Sequence, residues 1–344
     1  MFSKDHKIIT FGEILGRLSP PNHLRFSQAN NLEVIYGGGE FNVAASLANY
    51  GIRAQFITAV PQNAIGDCVI QTVRGNNVGA KYILRQGKRL GLYFIEHGAS
   101  GRNSAVVYDR EGSSISEVKP GEFDWDTIFD GATGFHWSGI TPALSQTAAD
   151  TCLEAIKAAS ERGLTISTDL NYRSKLWKYG KQPREVMPAL LKYSNVILAD
   201  VDTAMFMLGK AKINPDYSKD EEVKLQFDKI MELLPNVHTI GMTFRNSVNA
   251  SHQRIGGLLY KNNQLHRARI DEISPVIDRV GTGDAFMGGL LYGLIEYKDD
   301  LQKAVAFATS ACVIKHTIFG DVNRASKQEV IDFMEGDGSA LVDR

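Results

Sequence analysis

The residues best suited to chemistry in this chain are Gly281-Thr282-Gly283-Asp284, which stand at the head of the apolar run Ala285-Phe286-Met287-Gly288-Gly289-Leu290-Leu291. Phe286, Met287, Leu290, Leu291, Leu294 and Ile295 recur at helical spacing, which predicts a helix beginning near Asp284. Glycines at 281 and 283 leave the backbone open to close approach. The first N–H groups of a helix lack intrahelical acceptors and point outward at the positive end of its dipole, an arrangement that suits phosphate. Asp284 would stand beside that anion hole, where a carboxylate can accept a proton from an attacking hydroxyl. A base, an anion hole and an acceptor hydroxyl together describe phosphoryl transfer. An N-capping aspartate after a glycine turn is the commoner use of such a pattern, so the rest of the chain has to decide.

Two nucleotide signatures are excluded. A dinucleotide fingerprint needs a third glycine where Phe286 stands. The Gly-Lys pairs at Gly87, Gly180 and Gly209 lack both the upstream glycine and the following Ser or Thr of a Walker A loop. With 344 residues the chain can form one large α/β domain, and a formal net charge of −1 without a long basic run argues against a nucleic-acid surface. Cys68, Cys152 and Cys312 lack metal-ligand spacing and read as reduced thiols of a cytoplasmic protein. Residues 1–7 are polar, the run after them is too short for a signal peptide, and no stretch approaches a membrane span.

The elements that must position the chemistry alternate between strand and helix. Strands are expected at residues 7–11, 54–60, 134–140, 164–169, 195–199 and 237–242, with helices following most of them at 145–162, 202–208, 219–234, 301–317 and 327–334. A hairpin is expected about Asn262-Asn263. Gly37-Gly38-Gly39 leads into a small-residue helix that Gly51 closes. Residues 15–35 and 90–118 break the alternation; short β runs at 92–95, 105–108 and 114–116 predict antiparallel strands outside the parallel sheet. The expected fold is therefore α/β, a mostly parallel sheet covered by helices on both faces, with a small projecting antiparallel β lid. Residues 1–344 then form a single domain with lid strands inserted at approximately 15–35 and 90–118. Such a lid has an exposed face that needs a cover, either substrate or a second subunit.

Gly37-Gly38-Gly39-Glu40-x-Asn42 near the start and Asp278-x-x-Gly281-Thr282-Gly283-Asp284 near the end resemble the two signatures of the ribokinase-like, phosphofructokinase B type family of carbohydrate kinases. The resemblance covers essentially the whole chain, lid included. Gly12-Glu13-Ile14-Leu15, Tyr108-x-Arg110, Asp169-x-Asn171-Tyr172-Arg173, Thr243-x-Arg245 and Lys315-His316-Thr317-x-x-Gly320-Asp321 are similar, within it, to the 2-keto-3-deoxygluconate kinases. The resemblance implies ATP- and Mg²⁺-dependent phosphorylation of a sugar primary hydroxyl. It implies Asp284 as catalytic base and Gly281, Thr282 and Gly283 as anion hole. Gly38, Tyr93, Tyr108, Arg110, Ile140 and Arg173 match acceptor-binding positions, and Thr243 and Arg245 match nucleotide contacts.

A sugar acid needs a cation for its carboxylate, and the planar fork of arginine suits it better than lysine. Arg110 and Arg173 come from lid and body, as a closing clamp requires. Two features depart from the family pattern. Asp200-Val201-Asp202-Thr203 stands where many members carry Asn-x-x-Glu, which leaves the metal ligands unassigned, and Arg279-Val280 replaces Thr-Thr, so that Arg279 either reaches the nucleotide phosphates or lies outside the site. The expected function is 2-keto-3-deoxygluconate kinase, acting as a homodimer joined through the lid or a higher oligomer. Alternatives are a kinase of the same fold for fructose, ribose or a nucleoside, and a non-catalytic sugar-acid sensor. A nicotinamide-binding module is disfavoured by the missing third glycine.

Overall fold

Apolar strands that alternate with helices can bury both faces only in a parallel sheet lying between two helical layers. The computed structural model describes residues 6–336; the polar start, residues 1–5, and residues 337–344 lie outside it. Its main sheet has the spatial order Gln264–Arg267, His252–Lys261, Thr239–Asn249, Val196–Leu198, Thr165–Asp169, Gly134–Ser138, Lys7–Phe11, Arg53–Ile57. From Thr239–Asn249 to Arg53–Ile57 every neighbouring pair is parallel. The hairpin through His252–Lys261 and Gln264–Arg267 adds an antiparallel edge, turning at Asn262 and Asn263, both left-handed.

Each face of the sheet carries its own apolar core. One is built around Phe41, Phe56, Phe286, Leu290 and Phe307, the other around Phe11, Trp137, Ile156, Phe227 and Ile240. Helix Thr282–Glu296 is buried along most of its length between helices Gly39–Asn49 and Leu301–Lys315. A helix that is apolar all round belongs in such a place.

The two excursions come together as a separate four-stranded sheet ordered Glu33–Gly37, Leu15–Ser19, Leu92–Glu96, Ala105–Asp109. Each excursion leaves the body and returns as an antiparallel pair. Their outgoing strands lie side by side, so the central pair runs parallel. Register places Ile35, Arg17, Tyr93 and Tyr108 in one row across this lid, and Val34, Leu18, Phe94 and Val107 in the next row on the opposite face.

Several local expectations are corrected. Residues 114–116 are not a strand but part of a buried 3₁₀ turn, Ser114–Glu117. Ser116 Oγ bonds back to Ser113 O at 2.7 Å, which competes with a ladder, while Ser114 Oγ reaches across to Arg89 O at 3.0 Å. Helix Pro183–Leu191 is unanticipated because Pro188 lies inside it. Strand Thr239–Asn249 runs well past residue 242 because its antiparallel partner extends with it. Among the described residues no helix is long and apolar enough to cross a membrane.

Candidate active site

Parallel strands end on the same side of a sheet, so polar groups placed just after them gather there. Between those ends and the lid lies a cleft of about 890 Å³. Every residue expected from sequence to act in catalysis, anion binding, acceptor binding or nucleotide binding lines it. Asp284 and the glycine turn form its floor, lid strands supply Tyr93, Tyr108 and Arg110, and Thr243, Arg245 and Arg279 stand on the other side of the turn.

Helix Thr282–Glu296 starts with Gly281 at its N-cap, in the left-handed region at φ 79°. A side chain there would also collide with the Asp321 carbonyl, so the turn requires glycine twice over. Asp284 is the third helical residue and does not cap the helix; its Oδ2 accepts from Asn42 Nδ2 at 2.7 Å. The amide oxygen of Asn42 is occupied by the Gly38 N–H at 3.3 Å, which leaves the NH₂ group to face the carboxylate. The Asn42–Asp284 bond removes the plain N-cap reading and ties the two glycine motifs together. Gly38 lines the cleft, but what excludes a side chain from it is the Glu13 carbonyl, not ligand approach.

Asp284 and Asp169 line the cleft, and a third carboxyl group, Glu40, is buried close enough to act on both. Loss of solvent around Asp284 pushes its pKa up to about 6, against the opposing Asn42 hydrogen bond. Burial, then the charge of Asp284, raises Asp169 to about 7. Burial also raises Glu40 to about 7, although its Oε1 accepts from Ser138 Oγ at 2.7 Å and Thr141 Oγ1 at 3.0 Å.

On the acceptor side the two arginines differ. Arg173 is exposed, and its guanidinium bonds only its neighbour's carbonyl, Tyr172 O at 3.2 Å. Arg110 is buried and already paired: its Nε lies 2.6 Å and its Nη2 2.5 Å from Glu13 Oε2. The expectation of two unpaired cations is therefore corrected to one, because a buried guanidinium needs a counter-charge of its own. Tyr93 is likewise engaged, donating to Asp321 Oδ2 at 2.6 Å. The Tyr108 ring lies 5.6 Å from the Arg110 guanidinium carbon. Ile140 follows strand Gly134–Ser138 and its N–H donates to Ser138 Oγ at 3.2 Å.

On the nucleotide side Arg245 Nη2 donates to Thr282 Oγ1 at 3.2 Å, which brings a cation to the start of the helix. Partial burial and the like charge of Arg245 lower the Arg279 pKa, the mark of cations gathered where anionic charge is to be received. Asp200 spends both carboxylate oxygens capping helix Val201–Met207 through Thr203, at 2.8 and 2.7 Å. Among the described residues no group of three or more His, Cys, Asp or Glu could hold a metal. Asp200 lines the cleft, and an ionised carboxylate keeps acceptor capacity beyond the two bonds to Thr203, so Mg²⁺ would be held by nucleotide phosphates and water with Asp200 as a single protein ligand. Asn42, Glu13, Asp169 and Asp321 escaped a functional reading from sequence; each sat within a quoted motif, but nothing in the sequence joined Asn42 to Asp284, Glu13 to Arg110 or Asp321 to Tyr93.

Comparison with known proteins bears on the family and the fold. The pfkB family carbohydrate kinase model matches residues 5–323. A 2-dehydro-3-deoxygalactonokinase from Haloferax volcanii is 31% identical over 98% of this chain and 99% of its own. The crystal structure of a 2-dehydro-3-deoxygluconokinase from Thermotoga maritima superimposes with a TM-score of 0.91 at 41% identity, covering 96% of this chain and 98% of that one. A sugar kinase from Pyrococcus horikoshii in complex with ATP shares the fold, with a TM-score of 0.72 at 20% identity over 94% and 96% of the two chains.

The Asn42–Asp284 contact makes a pH prediction. A base with a pKa of about 6 is lost as pH falls through that value, so turnover should decline on the acid side. Asn42→Ala removes a donor to the charged carboxylate, which raises the pKa further and moves the acid limb of the kcat–pH profile to higher pH. An acid limb that stays where the wild-type limb lies would count against Asp284 as the titrating base.

Proposed function

The chain belongs to the pfkB family of carbohydrate kinases, and we propose that within it this protein transfers the γ-phosphoryl group of ATP to the 6-hydroxyl of 2-keto-3-deoxygluconate. The observation that carries the choice of acceptor is Arg173, an exposed guanidinium in the acceptor half of the cleft that forms no ion pair among the described residues, its charge reaching Asp284 and Asp169 only at a distance. A planar fork left open beside a catalytic base suits a substrate that brings its own carboxylate. The Haloferax and Thermotoga relatives, whose names specify sugar-acid kinases, support the same class of acceptor.

In this reading the acceptor lies between lid and floor, with its 6-hydroxyl at Asp284. Asp284 takes the hydroxyl proton as the O6–P bond forms and the bond from Pγ to the bridging oxygen of ADP breaks. The transferred group spreads its charge over its equatorial oxygens, so catalysis rests on positioned donors. The N–H groups of Gly281, Thr282 and Gly283 supply them, and a side chain at Gly283 would meet nothing but open space. Arg245, Arg279 and Thr243 hold the nucleotide phosphates. Mg²⁺, arriving with ATP, would neutralise phosphate charge. The three cysteines are free, in keeping with a reducing cytoplasm.

The Glu13–Arg110 pair favours one rival. With Arg110 neutralised, a neutral sugar loses less in this cleft than it would between two bare cations. An ADP-release screen with ketodeoxygluconate, ketodeoxygalactonate, fructose, ribose and adenosine decides between the readings. Preference for fructose or ribose over every sugar acid would give the site to the neutral-sugar rival.

Asp284→Asn should keep binding but lower turnover by roughly two to four orders of magnitude, since the amide cannot take the proton. Turnover within about threefold of wild type would remove Asp284 from its role. Arg173→Ala should raise the KM for ketodeoxygluconate by roughly ten- to a hundredfold, the worth of a charged hydrogen bond, and leave that for ATP nearly unchanged. Equal effects on both constants would point to a structural role.

The lid row Val34, Leu18, Phe94 and Val107 is apolar, with Val34 and Val107 each 55% exposed. Such a face calls for a second copy of the chain, placed lid against lid. Light scattering should return at least twice the chain mass, and Val107→Lys should shift it toward the monomer. A wild-type monomer at all concentrations would refute the assembly.

A further inference from the structure

Arg17 occupies the row of the lid sheet that contains Tyr93 and Tyr108, and it is fully buried. Its guanidinium joins two carboxylates of the body. Nη2 lies 2.7 Å from Asp278 Oδ2, and Nη1 lies 2.7 Å from Asp321 Oδ1. Two more lid residues join the cluster: Tyr93 donates to Asp321 Oδ2 at 2.6 Å, and His97 Nε2 lies 2.5 Å from Arg17 Nη2. The ring of Phe319 lies 5.3 Å from the guanidinium carbon. Burial works against the Arg17 charge, and Asp321 and Asp278 outweigh it, raising its pKa.

The same carboxylates shape the phosphate loop. Asp278 Oδ1 accepts from the Val280 N–H at 3.0 Å, and its Oδ2 accepts from the Gly320 N–H at 3.0 Å. Val280 leads directly into Gly281, which packs against the Asp321 carbonyl. Lys315, the other buried cation nearby, donates to Ile318 O at 2.9 Å; among the described residues only Arg17 forms an ion pair with Asp278 or Asp321. Without Arg17 the loop would be held by two desolvated carboxylates with no ion-pair partner and only the more distant charge of Lys315.

We propose that Arg17 is a positioning residue that couples acceptor binding under the lid to the nucleotide phosphate site, the anion hole taking its working shape only when the lid sets Arg17 between Asp278 and Asp321. The inference rests on the kinase reading above, and not on which sugar is the acceptor.

Coupling between two ligands is reciprocal and measurable without turnover. Calorimetric titration with the non-hydrolysable analogue adenylyl imidodiphosphate, with and without saturating ketodeoxygluconate, gives the coupling ratio. In the wild type the acceptor should tighten the analogue by about fivefold or more. Arg17→Lys keeps the charge but lacks a fork that reaches both carboxylates, so the ratio should fall to about 1 and kcat by about tenfold, with acceptor affinity alone within about threefold. A merely structural role would lower the melting temperature and leave the ratio intact. Should Arg17→Lys fail to fold, Arg17→Met combined with Asp278→Asn and Asp321→Asn removes the cation and both carboxylate charges together and should abolish coupling likewise. A wild-type ratio of 1, or an unchanged ratio in a folded variant, overturns the inference. If ketodeoxygluconate does not bind, the proposed acceptor falls, and the ratio is measured with whichever sugar the ADP-release screen turns over.

Discussion

The first turn of helix Thr282–Glu296 sets the terms for everything around it. A helix buried along nearly its whole length cannot satisfy its leading N–H groups with water from the side, so their only outlet is the cleft into which the helix points. Gly281 aims them by taking a left-handed conformation against the Asp321 backbone. Asp284 shares the same turn, so the base is carried on the helix itself, and what remains to be set is the loop through Val280 that leads into Gly281. The core around Phe286 and Leu290 thus fixes the chemistry as well as the stability.

A site with this much buried charge depends on how the charges are matched. Arg110 with Glu13, and Arg17 with Asp278 and Asp321, are both nearly inaccessible to water. Such pairs add little net stability, but removing one partner costs about 3–5 kcal/mol, because the other is left desolvated and alone. Both pairs join a lid residue to a body residue. The lid is therefore held to the body chiefly by interactions that tolerate one geometry and penalise others. On the phosphate side the logic is reversed, since Arg245 and Arg279 are exposed and near each other, awaiting a counter-charge.

What was legible in the sequence follows from range. Helical and strand periodicity, glycine turns and the Asn262-Asn263 hairpin are local, and the main sheet follows from them. The two excursions were legible as interruptions of the alternation, and their union into one sheet followed from β runs with no helix between them. Local competition was not legible: serine hydroxyls bond back at Ser114–Glu117, and Pro188 hides a helix that Pro183 at its first turn and Glu185 could have announced. Least legible were the pairings that finish the site. Asn42 meets Asp284 across 242 positions and Glu13 meets Arg110 across 97, and no periodicity connects such residues. The Glu13 pairing matters most, since it halves the free positive charge read from two arginines.

On the proposed assignment of the site residues, the division of labour that results would explain how one fold can serve many acceptors. The phosphoryl-transfer parts, Asp284 with Asn42 and the glycine turn, sit on body helices and are indifferent to the rest of the sugar. The parts that distinguish acceptors, Arg110, Tyr108 and Arg173, lie on the lid and on the loop after strand Thr165–Asp169, where substitution leaves the base untouched. Acid can be told from neutral sugar by one open guanidinium, because a charged partner left unmatched is costly. Two sugar acids that differ at one hydroxyl present the same carboxylate to the same arginine, so that contact cannot tell them apart. Their separation has to come from hydrogen bonds to the hydroxyl itself, and Tyr93 contributes less than its place suggests, since its own hydroxyl is already committed to Asp321. On the proposed reading, a cleft built this way would be strict about charge and lenient about stereochemistry.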